Sequence, residues 1–198
     1  MGKQTIIAIS REFGSGGRVI AEKIAKDLGL PLLDRNILED IAAEMHVKTE
    51  NFKGCDESVG KPFLTRRVRG HSNSMEEALA NLQFAYLKKR AEKGESFVVV
   101  GRCAGAVLSG MEGLTTVFVL GDRDCKKARV MERYHLSEED ALAKMNRHDK
   151  KRKQYHNTFS KTKWGDSRGY DLCVNSSKLG IDKTAELIEH YVKSKDGE

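Results

Sequence analysis

TIIAISREFGSGGRVIAEKIAKDL occupies residues 5–28 and decides how the chain is read. Thr5 to Ile9 is a continuous apolar run, which suits a strand buried on both faces. From Arg18 to Leu28 the apolar residues Ile20, Ile24 and Leu28 recur at i, i+4 and i+8, which predicts a helix. Between them lies Ser10-Arg11-Glu12-Phe13-Gly14-Ser15-Gly16-Gly17-Arg18, with three glycines among four residues. A glycine-rich turn between a strand and a helix is the setting of a phosphate-binding loop. Glycines let backbone amides turn toward one anion, and the helix N-terminus adds about half a positive charge. Gly14, Ser15, Gly16, Gly17 and Arg18 are therefore the candidate phosphate-binding residues. Arg18, on the first turn, is the candidate cation. The other reading is a plain strand-to-helix turn. The stretch is not the G-x-x-x-x-G-K-S/T pattern, since Gly17 stands where the lysine belongs and Arg18 follows one residue later.

Working outward, Gly29 and Pro31 stop the first helix. Leu32 to Asp34 reads as a second strand, and Asn36 with Glu39 as a capping box. A helix is predicted over about Ser74 to Lys93, with Gly94 as its stop. Ser96 to Val100 and Thr116 to Leu120 are continuous apolar strands, and Tyr170 to Val174 is a fifth. Asp122 is the expected cap of a helix to about Tyr134. Ser137 with Asp140 caps another that runs past Arg152, and Asp182 to Val192 closes the chain. Strands alternating with helices imply parallel βαβ units: an α/β, three-layer sandwich with a five-stranded parallel sheet. With no repeat or linker, one domain over residues 1–198 is expected. Residues 50–72 lose period and read as a mobile segment over the site or as a surface insertion.

The 198 residues are 39% hydrophobic and 32% charged, with a formal net charge of +6. No apolar run approaches the roughly 20 residues that span a bilayer, and a cytoplasmic location without membrane partners is the expectation. The basic excess collects in Lys61–Arg69 and Arg147–Lys163. Such patches suit nucleotide phosphates as well as nucleic acid, but no stacking-aromatic pattern accompanies them, so nucleic acid is not the expected partner. Cys55, Cys103, Cys125 and Cys173 form no C-x-x-C pair, so reduced thiols are expected. Cys173 reads as a small core residue. The six histidines show no metal-ligand cluster, and His148 and His156 are expected to be solvated. Trp164 is expected to pack where the chain returns from the long basic helix.

Further strings then acquire meaning together. ISREFGSGGRVIAEKIAKDLGLPLLDRNIL, VVVGRCAGAVL, VFVLGDRDCKKARV, RHDKKRKQYH and WGDSRGYDLCVNSS follow in order along nearly the whole chain. They resemble the cytidylate kinase-like family in its opening strand and loop, third strand and Gly-Arg turn, fourth strand, lid helix and last strand. The resemblance implies a P-loop nucleoside monophosphate kinase-like fold with a helical lid. It implies transfer of the γ-phosphoryl of ATP to CMP or another small phosphorylated acceptor, with Mg2+. Gly14, Gly16 and Gly17 match the phosphate loop. Asp34 matches the acid facing the acceptor and metal side, and Arg102 the acceptor-contacting arginine. Asp149 and Arg152 match a D-x-x-R pair on the lid helix, and Arg147 is a second basic candidate there. The lid would span residues 147–169, and the resemblance would put the mobile insertion 50–72 on the acceptor side. At i, i+3 Asp149 could orient Arg152; the plainer reading is an exposed helix ion pair. Arg102 could likewise be a surface turn residue and Asp34 a helix N-terminal charge. Val100 and Cys103 stand where acids are often found in nucleotide kinases, which leaves the metal ligands unassigned. The alternative activity is a non-catalytic nucleotide-binding module. Neither the acceptor nor the oligomeric state follows from the sequence.

Overall fold

The structure is a computed structural model that describes residues 3–34, 37–44 and 75–197. The segment 50–72, the basic stretch Lys61–Arg69, Cys55 and the capping residue Asn36 lie outside the described residues. In chain order the elements are β1 (Ile6–Arg11), α1 (Gly17–Asp27), β2 (Leu32–Leu33), α2 (Ile37–Glu44), α3 (Met75–Glu92) and β3 (Phe97–Val100). They continue as α4 (Ala104–Val107), β4 (Leu114–Leu120), α5 (Arg123–Tyr134), α6 (Glu138–Phe159), β5 (Leu172–Asn175) and α7 (Ser176–Asp196).

The five strands pair in parallel in the order β2-β3-β1-β4-β5. Each strand's alternate residues serve opposite faces. Ile6, Ala8, Leu33, Phe97 and Val99 meet Ile37, Ile41, Leu79, Leu87 and Leu108 from α2, α3 and the end of α4. Ile7, Ile9, Val98, Val100, Val117, Val119 and Val174 meet Ile20, Ile24, Ala185 and Ile188 from α1 and α7. Both faces are dry, which is why the strands read as unbroken apolar runs. The expected three-layer α/β sandwich is the fold observed.

The chain leaves β1 at the centre of the sheet, and its neighbours on either side come from separate crossovers. In parallel sheets such a reversal of strand order opens a crevice beyond the carboxyl ends of the strands. A third apolar cluster sits at this end. Phe13, Val130, Ala141 and Met145 tie the loop after β1 to α5 and α6.

Three details differ from the sequence reading. Cys173 is exposed, because β5 is an edge strand and its buried side carries Val174 instead. Asp122 occupies the N-cap of α5 without a side-chain capping bond. Its carboxylate takes Lys178 Nζ and Asn175 Nδ2, each at 2.8 Å, and so joins α5 to α7. α7 starts before the expected Asp182, with a break at Gly180 (φ 76°, ψ 178°). Ser137 caps α6 as expected, accepting from the Asp140 amide at 3.1 Å. No helix among the described residues is long and apolar enough to cross a membrane.

Candidate active site

The glycine-rich loop turns on positive φ at Gly14 (83°) and Gly16 (78°), separated by the buried Ser15. Left-handed residues of this kind can turn successive backbone amides toward one anion. Gly16 forms the N-cap of α1 without a side-chain cap, and the Gly17 amide donates to Ser15 Oγ at 3.4 Å. The loop is braced from behind. Arg129 Nη1 reaches the carbonyls of Gly14 (3.4 Å) and Ser15 (3.2 Å), and Ser176 Oγ donates to Ser15 O at 2.5 Å. Ser15 also turns inward, its Oγ donating to Glu12 O at 2.8 Å and its amide bonding the same carbonyl. Glu12 accepts from Lys126 Nζ at 2.7 Å and from the Gly121 amide at 3.1 Å. The loop's acid is therefore committed to holding the loop.

Phe13, at the loop's outer edge, stacks on His148 of α6 with ring centroids 4.3 Å apart and planes 7° apart. Its amide donates to Asp149 Oδ1 at 2.7 Å. Arg152 lies over the same ring at 5.4 Å, 3.9 Å from Asp149 Oδ1, and donates to the Arg11 carbonyl at 3.1 Å. Asp149 and Arg152 are thus brought together against the loop, not left as an exposed pair. Burial pushes the Asp149 carboxyl above its ordinary range, with the Phe13 amide and Arg152 opposing. Arg147 is exposed and lines neither cleft described below. His148, Lys151, Arg152 and Tyr155 form the inward face of α6, a spacing of three and four that the sequence itself carries. His148 is not the solvated residue expected.

Two clefts open around these groups. The larger, about 540 Å³, is lined by Gly14, Gly16, Gly17, Arg18, Arg129 and Arg133 among others. The smaller, about 140 Å³, is lined by Ser10, Arg102, Cys103, His148, Lys151 and Trp164 among others. Arg11, Asp34 and Arg152 line both. Asp34 follows β2 and is 7% exposed. Its Oδ2 is buried and accepts no hydrogen bond among the described residues. Arg18 Nε is 3.0 Å away, close enough for an ion pair but not aligned to donate, and bonds Glu22 at 2.9 Å.

Arg102 reaches the smaller cleft through a strained turn. Gly101, Arg102 and Cys103 all have positive φ, at 78°, 55° and 53°. Left-handed non-glycine residues cost about 1–2 kcal/mol each and cluster where a site needs them. The turn is fixed by Gly101 N to Ile9 O (2.9 Å) and Ala104 N to Gly101 O (3.0 Å). It also buries Cys103 with its Sγ 3.7 Å from His156 Nδ1. Burial pushes the thiol up to about 11 and pulls the imidazole below its ordinary value. Both groups are driven neutral, so this is a packed pair and not a thiolate–imidazolium nucleophile. His156 is buried where the sequence suggested solvent.

A pH dependence follows. Between the ordinary histidine value of about 6.5 and the depressed native value, the unfolded chain takes a proton that native His156 refuses. Stability from this group is full above that window and is lost as pH falls through it. Urea midpoints at pH 7.5 and 5.5 are expected to differ more for the wild type than for His156→Gln.

The sequence of residues 6–178 matches the profile of the cytidylate kinase-like family. The chain belongs to the cytidylate kinase-like family. No curated protein matches it in a sequence search. Among solved structures it is similar to an uncharacterized protein from Eubacterium ventriosum ATCC 27560 at 38% identity and TM-score 0.77, covering 96% of this chain and 99% of that one. It shares its fold with shikimate kinase from Bacteroides thetaiotaomicron (12% identity, TM-score 0.55, coverage 96% and 98%). Shikimate kinase from Acinetobacter baumannii in complex with shikimate is a third (13%, TM-score 0.53, coverage 96% and 94%). The P-loop kinase fold is thus common to the family member and to these kinases. Membership was legible in the ordered strings. The supporting residues Glu12, Lys126 and Arg129 were not, because their partners lie over a hundred residues away in sequence.

Proposed function

We propose that this cytidylate kinase-like chain transfers the γ-phosphoryl of ATP to CMP or another small phosphorylated acceptor. The observation that carries the reading is the meeting of a larger glycine-rich cleft and a smaller cationic one at Arg11, Asp34 and Arg152. The larger cleft takes the triphosphate, with the Gly14–Arg18 backbone against its phosphates. Arg102 and Lys151 give the smaller one an affinity for an anionic acceptor. An acceptor oxygen bonds the γ-phosphorus as the bond to the β-bridging oxygen breaks, and ADP departs. Such transfer depends on positioning and charge neutralisation. Arg152 neutralises charge at the junction, and Asp149 fixes Arg152 and the loop in one arrangement.

Mg2+ bound to the nucleotide would neutralise charge on its β- and γ-oxygens. Of the acids near the clefts, Asp34 lines both and fits it, since its Oδ2 is buried without a hydrogen bond whereas Glu12 and the neighbouring Asp149 are engaged by amides. Mg2+ commonly takes one or two carboxylates together with substrate phosphates.

Residues 147–169 form the moving lid in this reading. They carry more anchors than their charge suggests: Phe159 packs on Phe84 at 5.2 Å and Trp164 on Phe118 at 5.3 Å. A phosphotransfer screen of nucleoside monophosphates and small metabolites with ATP and Mg2+ tests the activity. ATP with Mg2+ is expected to slow hydrogen exchange across 147–169. Protection without turnover of any acceptor would favour a non-catalytic nucleotide-binding module.

A further inference from the structure

The phosphate-loop pattern G-x-x-x-x-G-K-S/T has a glycine at its first position and a lysine at its seventh. Laid on this chain with the second glycine at Gly16, the first position is Arg11 and the seventh is Gly17. Glycine and cation have changed places, and the structure gives a physical reason for the exchange. Gly17 is the first residue of α1, and its φ is not in the left-handed region that would demand glycine. What demands it is space. A Cβ at Gly17 would stand 2.6 Å from Arg11 Cβ and 3.1 Å from Arg11 Cγ. One volume therefore lies between positions 11 and 17, and only one of them can carry a side chain through it.

The head of Arg11 is accommodated in the same way. A Cβ at Gly101 would collide with Arg11 Nη1 and stand 3.4 Å from Cζ. Two glycines, one beside the stem and one beside the guanidinium, clear the path of a single arginine from the end of β1. That path borders both clefts. Arg152 bonds the Arg11 backbone carbonyl and lines the same junction. Arg18, the cation next to Gly17 in sequence, instead leans on Glu22 and Asp34.

We infer that Arg11 takes the place of the absent loop lysine and holds a phosphate of the bound triphosphate where the two clefts meet. The inference rests on the proposed phosphotransferase reading and names the cation that reading lacks. A guanidinium offers a planar fork that can bind two phosphate oxygens at once, where lysine offers a point charge. The loop keeps its cation but draws it from the strand instead of the helix.

The test is an exchange experiment. Binding of a fluorescent N-methylanthraniloyl ATP with Mg2+ is measured for the wild type, Arg11→Met, Gly17→Lys and the double variant Arg11→Gly/Gly17→Lys, with thermal melts to confirm folding. Arg11→Met fills the same space without the charge and is expected to weaken binding at least tenfold. Gly17→Lys is expected to weaken it as well, by crowding Arg11. The double variant is expected to return to within about threefold of the wild type, because it restores one side chain and one charge to the shared volume. If Arg11→Met melts early, Arg11→Gln takes its place. Wild-type affinity in the uncharged variant, or a double variant no better than Gly17→Lys, overturns the inference and leaves the phosphotransferase reading standing. A wild-type protein that binds no ATP overturns that reading, and this inference with it.

Discussion

Asp34→Asn is expected to lower phosphotransfer by at least about a hundredfold, within the range for losing a group that handles a proton or metal at the reacting centre. The asparagine is isosteric and should fold. It removes the buried carboxylate charge at the junction of the clefts, where Oδ2 accepts no hydrogen bond from the described residues. A buried acceptor left without a donor costs stability unless a ligand completes it, and that is the reason to assign the cost to function. The effect should fall on kcat, with ATP affinity in the absence of Mg2+ changed by less than about threefold, a difference of under 1 kcal/mol. Turnover close to the wild type would mean that Asp34 serves only to hold Arg18.

Gly14→Ala is expected to be strongly destabilising, because both the backbone conformation and the space oppose the added methyl group. At φ 83° the residue is left-handed, and a Cβ there would stand 2.9 Å from Lys126 O, 3.0 Å from Val130 Cγ2 and 3.1 Å from Lys126 Cβ. The first of these is backbone, so it cannot rotate away. The conformational term of about 1–2 kcal/mol adds to an overpacking term of about 1–3 kcal/mol. A loss of about 2–5 kcal/mol would lower Tm by about 4–20 °C in a chain of this size. Gly110→Ala separates the two terms. Gly110 has φ 89°, and a methyl added there would meet nothing within 4 Å, so it should show the conformational cost alone. Equal losses at both sites would show that the loop yields to α5.

The strands were legible because each is an apolar run in a sheet covered on both faces, and most helices because their stops and periods are local. Ser137 and Gly94 mark boundaries within a few residues of themselves. β1 nonetheless continues to Arg11, beyond the end of the apolar run at Ile9, because Ser10 and Arg11 pair with Phe118 and Val119. The four-residue α4 is too short to show a period. In the site, the glycines and Asp34 stood out by position in a pattern. The facing of cations did not. Arg18 adjoins the vacated lysine position and is the candidate cation in the sequence, whereas Arg11 reads only as part of the glycine-rich loop, and the clearance that Gly17 and Gly101 give it is visible only in the structure. On α6 a helical projection alone would have set Arg147 well away from Arg152, since five residues turn the helix through about 140° beyond a full circle.

The central position of β1 bears on how the chain is made. Its apolar residues are synthesised well before either neighbour, since Ile6 pairs with Phe97 on one side and Leu114 on the other. At about 5–20 residues per second, some five to twenty seconds pass before either neighbour is synthesised. Throughout that interval the central strand of the sheet has no edge to join, and non-local parallel pairing is slow even once both edges exist. The nascent β1 segment is therefore a natural client for chaperones that bind short apolar segments. The yield of folded protein should respond to their supply more than the stability of the finished sheet would suggest.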